Sequence, residues 1–340
     1  MRVGLVAPPW IPVPPPSYGG TESVIDNLAR GLAARGHDVR LFTVGESTCP
    51  VARCSLFDHA VQPIGATVAE AAHVLRAYEC LSDCDIVHDH TMIGPLTWAR
   101  VDQGPAVVTT NHGEFTAMTR AVYRAIAARV PVIAISHAQR ESAPEVPVAA
   151  VIHHGVDLDV YRYGPGGDYL LFVGRMNPDK GVHDAIRLAR RAGRRLVVVS
   201  KIWEDVERKY FDDVVRPLLG PDVELLTEAT LAERVELFRH AAALLNTIRW
   251  PEPFGLVMVE ALACGTPVIG FPRGAAPEIV DNGETGFLDC DEDVLLRAPI
   301  ESIDRHACRA AVERRFSVAR MAQDHETLYE RVLDNRPRIA

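Results

Sequence analysis

Two glutamates, Glu252 and Glu260, flank a largely apolar segment that reads WPEPFGLVMVEALACGTPVIGF at residues 250–271. Gly255 between them is typical of a helix start, so one acid is predicted before the helix and the other inside it. A buried carboxylate needs hydrogen-bond donors, and sugar or ribose hydroxyls are suitable. The free N–H groups at the helix start would also bind an anion or a hydroxyl. Alternatively, Glu252 caps the helix and Glu260 pairs with an arginine.

Two cations follow a predicted strand in the segment VGRMNPDKG, residues 173–181. Gly174 permits a tight turn after the strand, and Arg175 and Lys180 extend from the loop. Two cations at the carboxyl end of a strand suit a phosphate or a diphosphate. From these residues alone, ordinary surface charge is an equally good explanation.

Weaker candidates lie in the N-terminal half. Gly19 and Gly20 precede a predicted helix and allow a ligand to approach the backbone closely, although they do not form the dinucleotide-binding pattern GxGxxG. His112, in TTNHGEF, follows another predicted strand, where a histidine is well placed for catalysis or sugar contact. A purely structural histidine is the alternative.

No metal site is predicted. The string HDH at residues 88–90, with Cys80 and Cys84 upstream, matches no standard zinc spacing. Asp-x-Asp strings at residues 83–85, 157–159 and 291–293 could bind Mg²⁺ beside a diphosphate, but none follows a predicted strand in a suitable context.

Composition limits the class of protein. The 340 residues have a net charge of −9, which argues against nucleic-acid binding. Their number favours two domains, because a single core stops growing at about 250–300 residues. Seven irregularly spaced cysteines argue against a disulfide framework. Neither a signal-peptide pattern nor an apolar run near the ~20 residues that span a bilayer is present, so a cytoplasmic location is expected.

Short apolar runs alternate with helical patterns, which indicates parallel sheets covered by helices on both faces. Strands are predicted at residues 2–7, 38–44, 86–88, 106–110, 132–136 and 149–153, and then at 169–175, 195–200, 223–226, 243–246 and 267–270. The order of elements in the first forty residues repeats from Tyr169. We predict an α/β fold of two Rossmann-like domains whose sheets face each other across a deep cleft.

The predicted domains comprise residues 1–155 and 165–317. A glycine-rich stretch near residues 155–167, containing YRYGPGGD, is predicted to link them. The last helical pattern, at about residues 318–335, could return to the first domain.

Across nearly its whole length the chain resembles the retaining glycosyltransferases of family 4, which have the GT-B architecture. Similar segments are the opening APPWIPVPPPSYGGTESVIDNLARGLAARGHDVRLFT, the strand ends DIVHDHT, TTNHGEF, AISHAQR and IHHGVDLDVY, and the loop LLFVGRMNPDKGV. The most specific block is WPEPFGLVMVEALACGTPVIGF followed by RGAAPEIVDNGETGFL. The match is close to bacterial sugar transferases, including antibiotic-biosynthesis enzymes of the avilamycin type.

The resemblance implies a site for a nucleotide-diphosphate sugar. It assigns Glu252 to hydroxyls of the transferred sugar and Glu260 to the ribose. Arg175 and Lys180 would neutralise the departing diphosphate, and His112 would lie by the sugar on the acceptor side. Backbone contact or close approach to the donor is implied for Gly19, Gly20, Gly174, Phe254, Gly255 and Leu256.

The implied reaction moves the sugar to an acceptor hydroxyl with retention of the anomeric configuration. Cations and helix N–H groups would stabilise the charge that develops on the diphosphate, so no cofactor is expected and Mg²⁺ is not required. The segment KIWEDVERKYF departs from the glycine-rich turn of many members, so Lys201 is a further candidate for donor contact. His154 and Arg273 replace a common Asn and Gly.

Other functions stay open at this level. A nucleotide-sugar epimerase or hydrolase would use the same donor contacts. A catalytically silent nucleotide-sugar-binding protein is disfavoured, because both glutamates and both loop cations are retained. A dehydrogenase is disfavoured because GxGxxG is absent. The expected partners are a nucleotide sugar and a small-molecule or glycan acceptor, whereas the base, the sugar, the acceptor and the oligomeric state are not predicted.

Overall fold

The computed structural model describes residues 1–17, 19–98 and 104–335. The chain divides into two compact units. The first comprises Met1–Gly155 and the C-terminal segment from Val318 onward, and the second comprises Val156–Ser317.

The first unit is built on a parallel sheet. Its strands are β1 (Arg2–Val6), β2 (Asp38–Thr43), β3 (Ala52–Ser55), β4 (Ile86–Asp89), β5 (Ala106–Thr110), β6 (Val132–Ala134) and β7 (Val148–Val151). In the described residues their order is β3-β2-β1-β4-β5-β6-β7. The helices that cover the sheet are α1 (Gly20–Ala34), α2 (Thr67–Cys80), α3 (Ile93–Trp98), α4 (Ala117–Ile126) and α5 (His137–Ser142).

The second unit repeats this architecture. Its strands are β8 (Tyr169–Val173), β9 (Leu196–Val199), β10 (Val223–Leu226), β11 (Ala241–Asn246), β12 (Val268–Gly270) and β13 (Gly286–Leu288), in the parallel order β10-β9-β8-β11-β12-β13. Its α-helices are α6 (Val182–Arg191), α7 (Asp205–Tyr210), α8 (Leu231–His240), α9 (Leu256–Ala263), α10 (Ala276–Ile279), α11 (Glu292–Leu296) and α12 (Arg305–Arg315). Short turns of 3-10 helix lie at Pro178–Lys180, Arg216–Leu218 and Ile300–Ser302, and one π-helical turn spans Phe211–Val215. The apolar runs that predicted central strands are buried on both faces, as parallel sheets require.

The last helix, α13 (Val318–Asp334), is part of the first unit and packs on α1. Contact is close at Gly31, where a Cβ would lie 2.9 Å from side-chain atoms of both Ala322 and Val318. Arg320 of α13 also donates hydrogen bonds to the carbonyl oxygens of His153 and His154. In the described residues, no helix has both the length and the apolar character needed to cross a bilayer.

The stretch predicted as a linker is instead packed into the second unit, which begins at Val156 and not near residue 165. The N–H of Gly164 donates to the carbonyl oxygen of Cys264 at 3.1 Å. A Cβ at Gly167 would lie 2.3 Å from the carbonyl oxygen of His240. These glycines permit close backbone packing, so their density did not indicate flexibility. Val156 pairs with Ser317 in a parallel bridge where the chain leaves the unit.

Candidate active site

The loop after β8 is fixed at several points. The side chain of Asn177 accepts a hydrogen bond from the N–H of Lys180 at 3.0 Å. Gly181 has a φ of 73°, and a Cβ there would lie 2.0 Å from the carbonyl oxygen of Thr247, so only glycine fits. Gly174, which was predicted to permit a tight turn, does not have a left-handed backbone conformation. Its N–H donates a hydrogen bond to the carbonyl oxygen of Val199 at 3.1 Å. The loop is therefore anchored to strand β9 and to Thr247, the residue that follows β11.

Lys180 and Glu252 form an ion pair, and both side chains are largely buried. The indole N–H of Trp250 donates to the same carboxylate oxygen of Glu252 at 3.0 Å, and Lys180 Nζ lies 5.5 Å from the centroid of the Trp250 ring. Gly274 packs directly on the Glu252 backbone, because a Cβ there would lie 2.1 Å from its carbonyl oxygen. The fold thus brings the predicted cation Lys180 into contact with the predicted acid Glu252.

Arg175 contacts two acids that the sequence did not indicate. Its Nε donates to Glu207 at 2.9 Å, and its Nη2 donates to Glu204 at 2.8 Å. Burial raises the pKa of Glu207, but N–H groups of Trp203 and Glu204 and the guanidinium outweigh it and leave this pKa lowered. Lys201 Nζ lies 3.6 Å from the ring centroid of Trp203, and burial and the charge of Arg175 lower the pKa of Lys201.

Helix α9 begins at Leu256, immediately after Gly255, whose φ of 98° requires glycine. Phe254 is buried and packs edge-on to Phe316. Glu260 lies inside the helix, as the pattern predicted, and its carboxylate accepts a hydrogen bond from the hydroxyl of Tyr161 at 2.7 Å. The two glutamates therefore have different partners. The N-cap residue of α9 is Gly255, and the carboxylate of Glu252 accepts hydrogen bonds from Lys180 and Trp250.

In the first unit, His112 follows β5 and belongs to a group of imidazoles. Its Nε2 lies 2.8 Å from Nδ1 of His90, and its ring stacks on His154 with centroids 5.2 Å apart. Burial, with a contribution from His325, lowers the pKa of His112 to about 3. The side-chain amide of Gln139 donates to the carbonyl oxygens flanking the histidine loop and fixes its path.

Gly19 and Gly20 lie at the start of α1, as predicted. Gly19 has an extended backbone, and a Cβ there would lie 2.8 Å from a carboxylate oxygen of Glu22. Burial raises the pKa of Glu22 to about 7, against an opposing backbone hydrogen bond. Sequence reasoning missed this acid, although its place in GGTES, next to the glycine pair, is the signal that could have found it. Within the described ranges, no group of three or more His, Cys, Asp or Glu side chains is arranged to hold a metal ion.

Two Rossmann-like units, each with polar residues after its strand ends, are the architecture of the GT-B fold. Residues 18–160 match the model described as Glycosyltransferase Family 4, and residues 162–294 match that of Glycosyl transferases group 1. The chain therefore belongs to the family 4 glycosyltransferases and is an enzyme of that kind. The predicted family and α/β class are confirmed.

Named relatives and solved structures agree with this assignment. The D-inositol 3-phosphate glycosyltransferase of Mycobacterium marinum is 28% identical over 86% of this chain and 75% of its own length. The phosphatidyl-myo-inositol mannosyltransferase of Mycobacterium leprae is 27% identical over 85% and 83%. AviGT4, a glycosyltransferase involved in avilamycin A biosynthesis, is 29% identical with a TM-score of 0.77 and 99% coverage of both chains. Anabaena Alr3699/HepE, solved with UDP and glucose, is 20% identical with a TM-score of 0.74 over 96% and 99%, and shares the fold.

Proposed function

We propose that this enzyme transfers a sugar from a nucleotide-diphosphate donor to an acceptor hydroxyl, with retention of configuration and without a required metal. The observation that supports this most is the contact between Lys180 and Glu252, which lie 72 positions apart in the chain. It places a cation and an acid together just before helix α9. A donor presents complementary groups, namely a diphosphate for the cation and sugar hydroxyls for the acid.

In this proposal the donor replaces the ion pair. The diphosphate replaces Glu252 as the partner of Lys180, and the sugar hydroxyls replace Lys180 as the partner of Glu252. Neither buried charge is therefore left unpaired when the donor binds. Arg175, oriented by Glu207, adds a second positive charge. Backbone N–H groups of Phe254, Gly255 and Leu256 at the start of α9 add donors for an anion.

Glu260 is proposed to accept hydrogen bonds from the ribose, and Lys201 to contact the donor beside the Arg175 loop. The structures of Anabaena Alr3699/HepE with UDP and glucose support a donor of this class. The likeness to AviGT4 makes an antibiotic precursor one acceptor class to test.

The reaction follows from charge. The bond between the anomeric carbon and the phosphate oxygen breaks, and the nucleoside diphosphate leaves with the bonding electrons. The acceptor oxygen bonds to the anomeric carbon on the same face, and its proton passes to the departing phosphate. Lys180, Arg175 and the helix N–H groups stabilise the charge on the leaving group, as fixed cations and dipoles do in other enzymes.

We propose that residues of the first unit contact the transferred sugar on its acceptor side. The pKa of His112 is lowered to about 3 by burial, so its ring is uncharged at neutral pH. It would therefore act as a hydrogen-bonding group and not as a cation or a general acid. The glycine pair Gly19-Gly20 would let the donor approach the start of α1.

The first test is a thermal-shift screen with UDP, GDP, ADP and dTDP and their common sugars, in EDTA and in Mg²⁺. A ligand at 100 times its Kd adds about 2.7 kcal/mol to the free energy of unfolding. A shift with one nucleotide in EDTA supports the proposal, and no shift with any nucleotide contradicts it. Nucleotide release that depends on an added acceptor then separates transfer from hydrolysis. An inverted anomeric carbon in the product, read by NMR, would contradict retention.

A further inference from the structure

The carboxylate of Glu260 is held by a tyrosine from a distant part of the sequence. Oε1 of Glu260 accepts a hydrogen bond from the hydroxyl of Tyr161 at 2.7 Å. Burial raises the pKa of Glu260, while the charge of Arg234 and this hydrogen bond oppose the increase. Loss of the hydroxyl would therefore release the carboxylate and also favour its protonated form.

Tyr161 is itself fixed within the second unit. The residue is 8% exposed, and its ring lies edge-on to Phe238, with centroids 6.4 Å apart. Arg309 of α12 donates to the carbonyl oxygen of Tyr161 at 2.6 Å and to that of Ala263, at the end of α9, at 2.9 Å. One guanidinium thus joins the Tyr161 segment to the helix that contains Glu260, so the tyrosine and the carboxylate are positioned together.

We propose that Tyr161 is a positioning residue for nucleotide binding, which holds the carboxylate of Glu260 in the orientation that accepts hydrogen bonds from the ribose hydroxyls. This inference rests on the proposed function, in which Glu260 binds the ribose. An ionised carboxylate has about four acceptor positions, so one bond from Tyr161 leaves room for the 2′- and 3′-hydroxyls. The hydrogen bond also opposes the rise in the pKa of Glu260 that burial causes. It thereby favours the ionised carboxylate, which can accept from both hydroxyls.

The test compares UDP, GDP and ADP with their 2′,3′-dideoxy counterparts by isothermal titration calorimetry. Tyr161→Phe keeps the buried ring and removes only the hydroxyl. We expect it to reduce the preference for ribose over dideoxyribose by about tenfold, the size of a lost hydrogen bond to a charged group. Affinity for the dideoxy form should not change. The deficit should grow as the pH falls, because loss of the Tyr161 hydrogen bond raises the pKa of Glu260 further.

Two further variants sharpen the result. Tyr163→Phe removes a hydroxyl two residues along the same segment, from a ring that stacks on His306, and should behave as the wild type. Glu260→Gln should lose the ribose preference, and adding Tyr161→Phe to it should change nothing further.

If Tyr161→Phe keeps the full ribose preference, or weakens both nucleotide forms equally, the role of Tyr161 is overturned and the proposed function stands. If the wild type binds ribose and dideoxyribose forms equally, the ribose contact of Glu260 fails, and this inference fails with it. If the wild type binds none of these nucleotides and also shows no shift with dTDP in the thermal-shift screen, the proposed function itself is overturned.

Discussion

Nδ1 of His90 lies 2.8 Å from Nε2 of His112, so the two rings share one hydrogen bond. One nitrogen must donate and the other accept, which requires that one of the two be unprotonated. His88 extends the group, because its ring centroid lies 4.1 Å from that of His90 and 5.2 Å from that of His325. Burial lowers the pKa of each of these rings. The folded first unit therefore favours the uncharged form of these buried histidines.

We predict that the protein loses stability as the pH falls below about 6.5. The unfolded chain protonates these histidines near their ordinary pKa of 6.5, whereas the folded pKa is about 3 for His112 and about 4 for His325. At pH values between the folded and the unfolded pKa, the unfolded state binds more protons than the folded state. The free energy of unfolding therefore decreases by about 1.4 kcal/mol per ring for each unit by which the pH falls. Thermal unfolding at pH 7.5, 6 and 5 measures this slope.

The slope should become shallower in His325→Leu, which removes one buried ring. His59→Leu is the matched control, because that side chain is 83% exposed, and its slope should equal that of the wild type. Equal slopes in all three proteins would show that the buried imidazoles do not cause the loss.

Lys180→Ala and Glu252→Ala should each reduce turnover more than tenfold, that is, by more than about 1.4 kcal/mol of barrier. Because the two side chains are in contact, the cost in the double variant should be smaller than the sum of the single costs. Steady-state kinetics with the donor that the thermal-shift screen selects measures this. Lys209→Ala is the control, since Lys209 forms an exposed ion pair with Asp213 and its loss should not affect turnover. Wild-type turnover in folded Lys180→Ala and Glu252→Ala would contradict the site.

Gly274→Ala should damage activity through the backbone of Glu252. Gly274 has a φ of 54°, and the added Cβ would lie 2.1 Å from the carbonyl oxygen of Glu252. Gly283→Ala is a matched control, with a φ of 85° and no atom within 4 Å of the added Cβ. Both variants lose about 1 kcal/mol from the left-handed backbone. Crowding should cost Gly274→Ala about 1–3 kcal/mol more and lower its kcat. Equal unfolding free energies and equal kcat would refute the role of this contact.

Removal of divalent metal should leave turnover unchanged. In the proposed reaction, Lys180, Arg175 and the start of α9 stabilise the leaving diphosphate, so no further cation is needed. Turnover measured in EDTA and after addition of Mg²⁺ tests this. A loss in EDTA that Mg²⁺ restores would show that these groups are insufficient.

The central strands that sequence patterns predicted are buried on both faces, since their apolar runs are continuous. The edge strands β7 and β10 were also predicted, although their residues are only partly buried. Two strands were missed for physical reasons. β3 (Ala52–Ser55) is an edge strand with mostly exposed, polar residues, and β13 (Gly286–Leu288) has only three residues and begins with glycine. Glycine was also misleading in the predicted linker, because a glycine required by close packing has the same sequence signature as one in a flexible segment.

The residue types of the site could be predicted, but their partners could not. Arg175 follows a strand, and that position is visible in the sequence. Its contact with Glu207 depends on where α7 packs, which no local pattern specifies. Tyr161 was hidden for a similar reason, since it lies about one hundred residues before Glu260 and in a stretch interpreted as a linker. Periodicity identifies which element a residue belongs to, whereas tertiary packing decides what it contacts.

The chain enters the second unit at Val156 and leaves it at Ser317, and these residues pair in a parallel bridge. The N–H of Val156 also donates to the carbonyl oxygen of Phe316 at 2.9 Å. The two crossover points are therefore adjacent in space although they are far apart in the gene. A recombination event that exchanges the intervening coding sequence replaces the entire second core and leaves the first core with all of its own strands and helices. In evolutionary terms, the second unit is therefore expected to be exchangeable between relatives as one continuous coding segment.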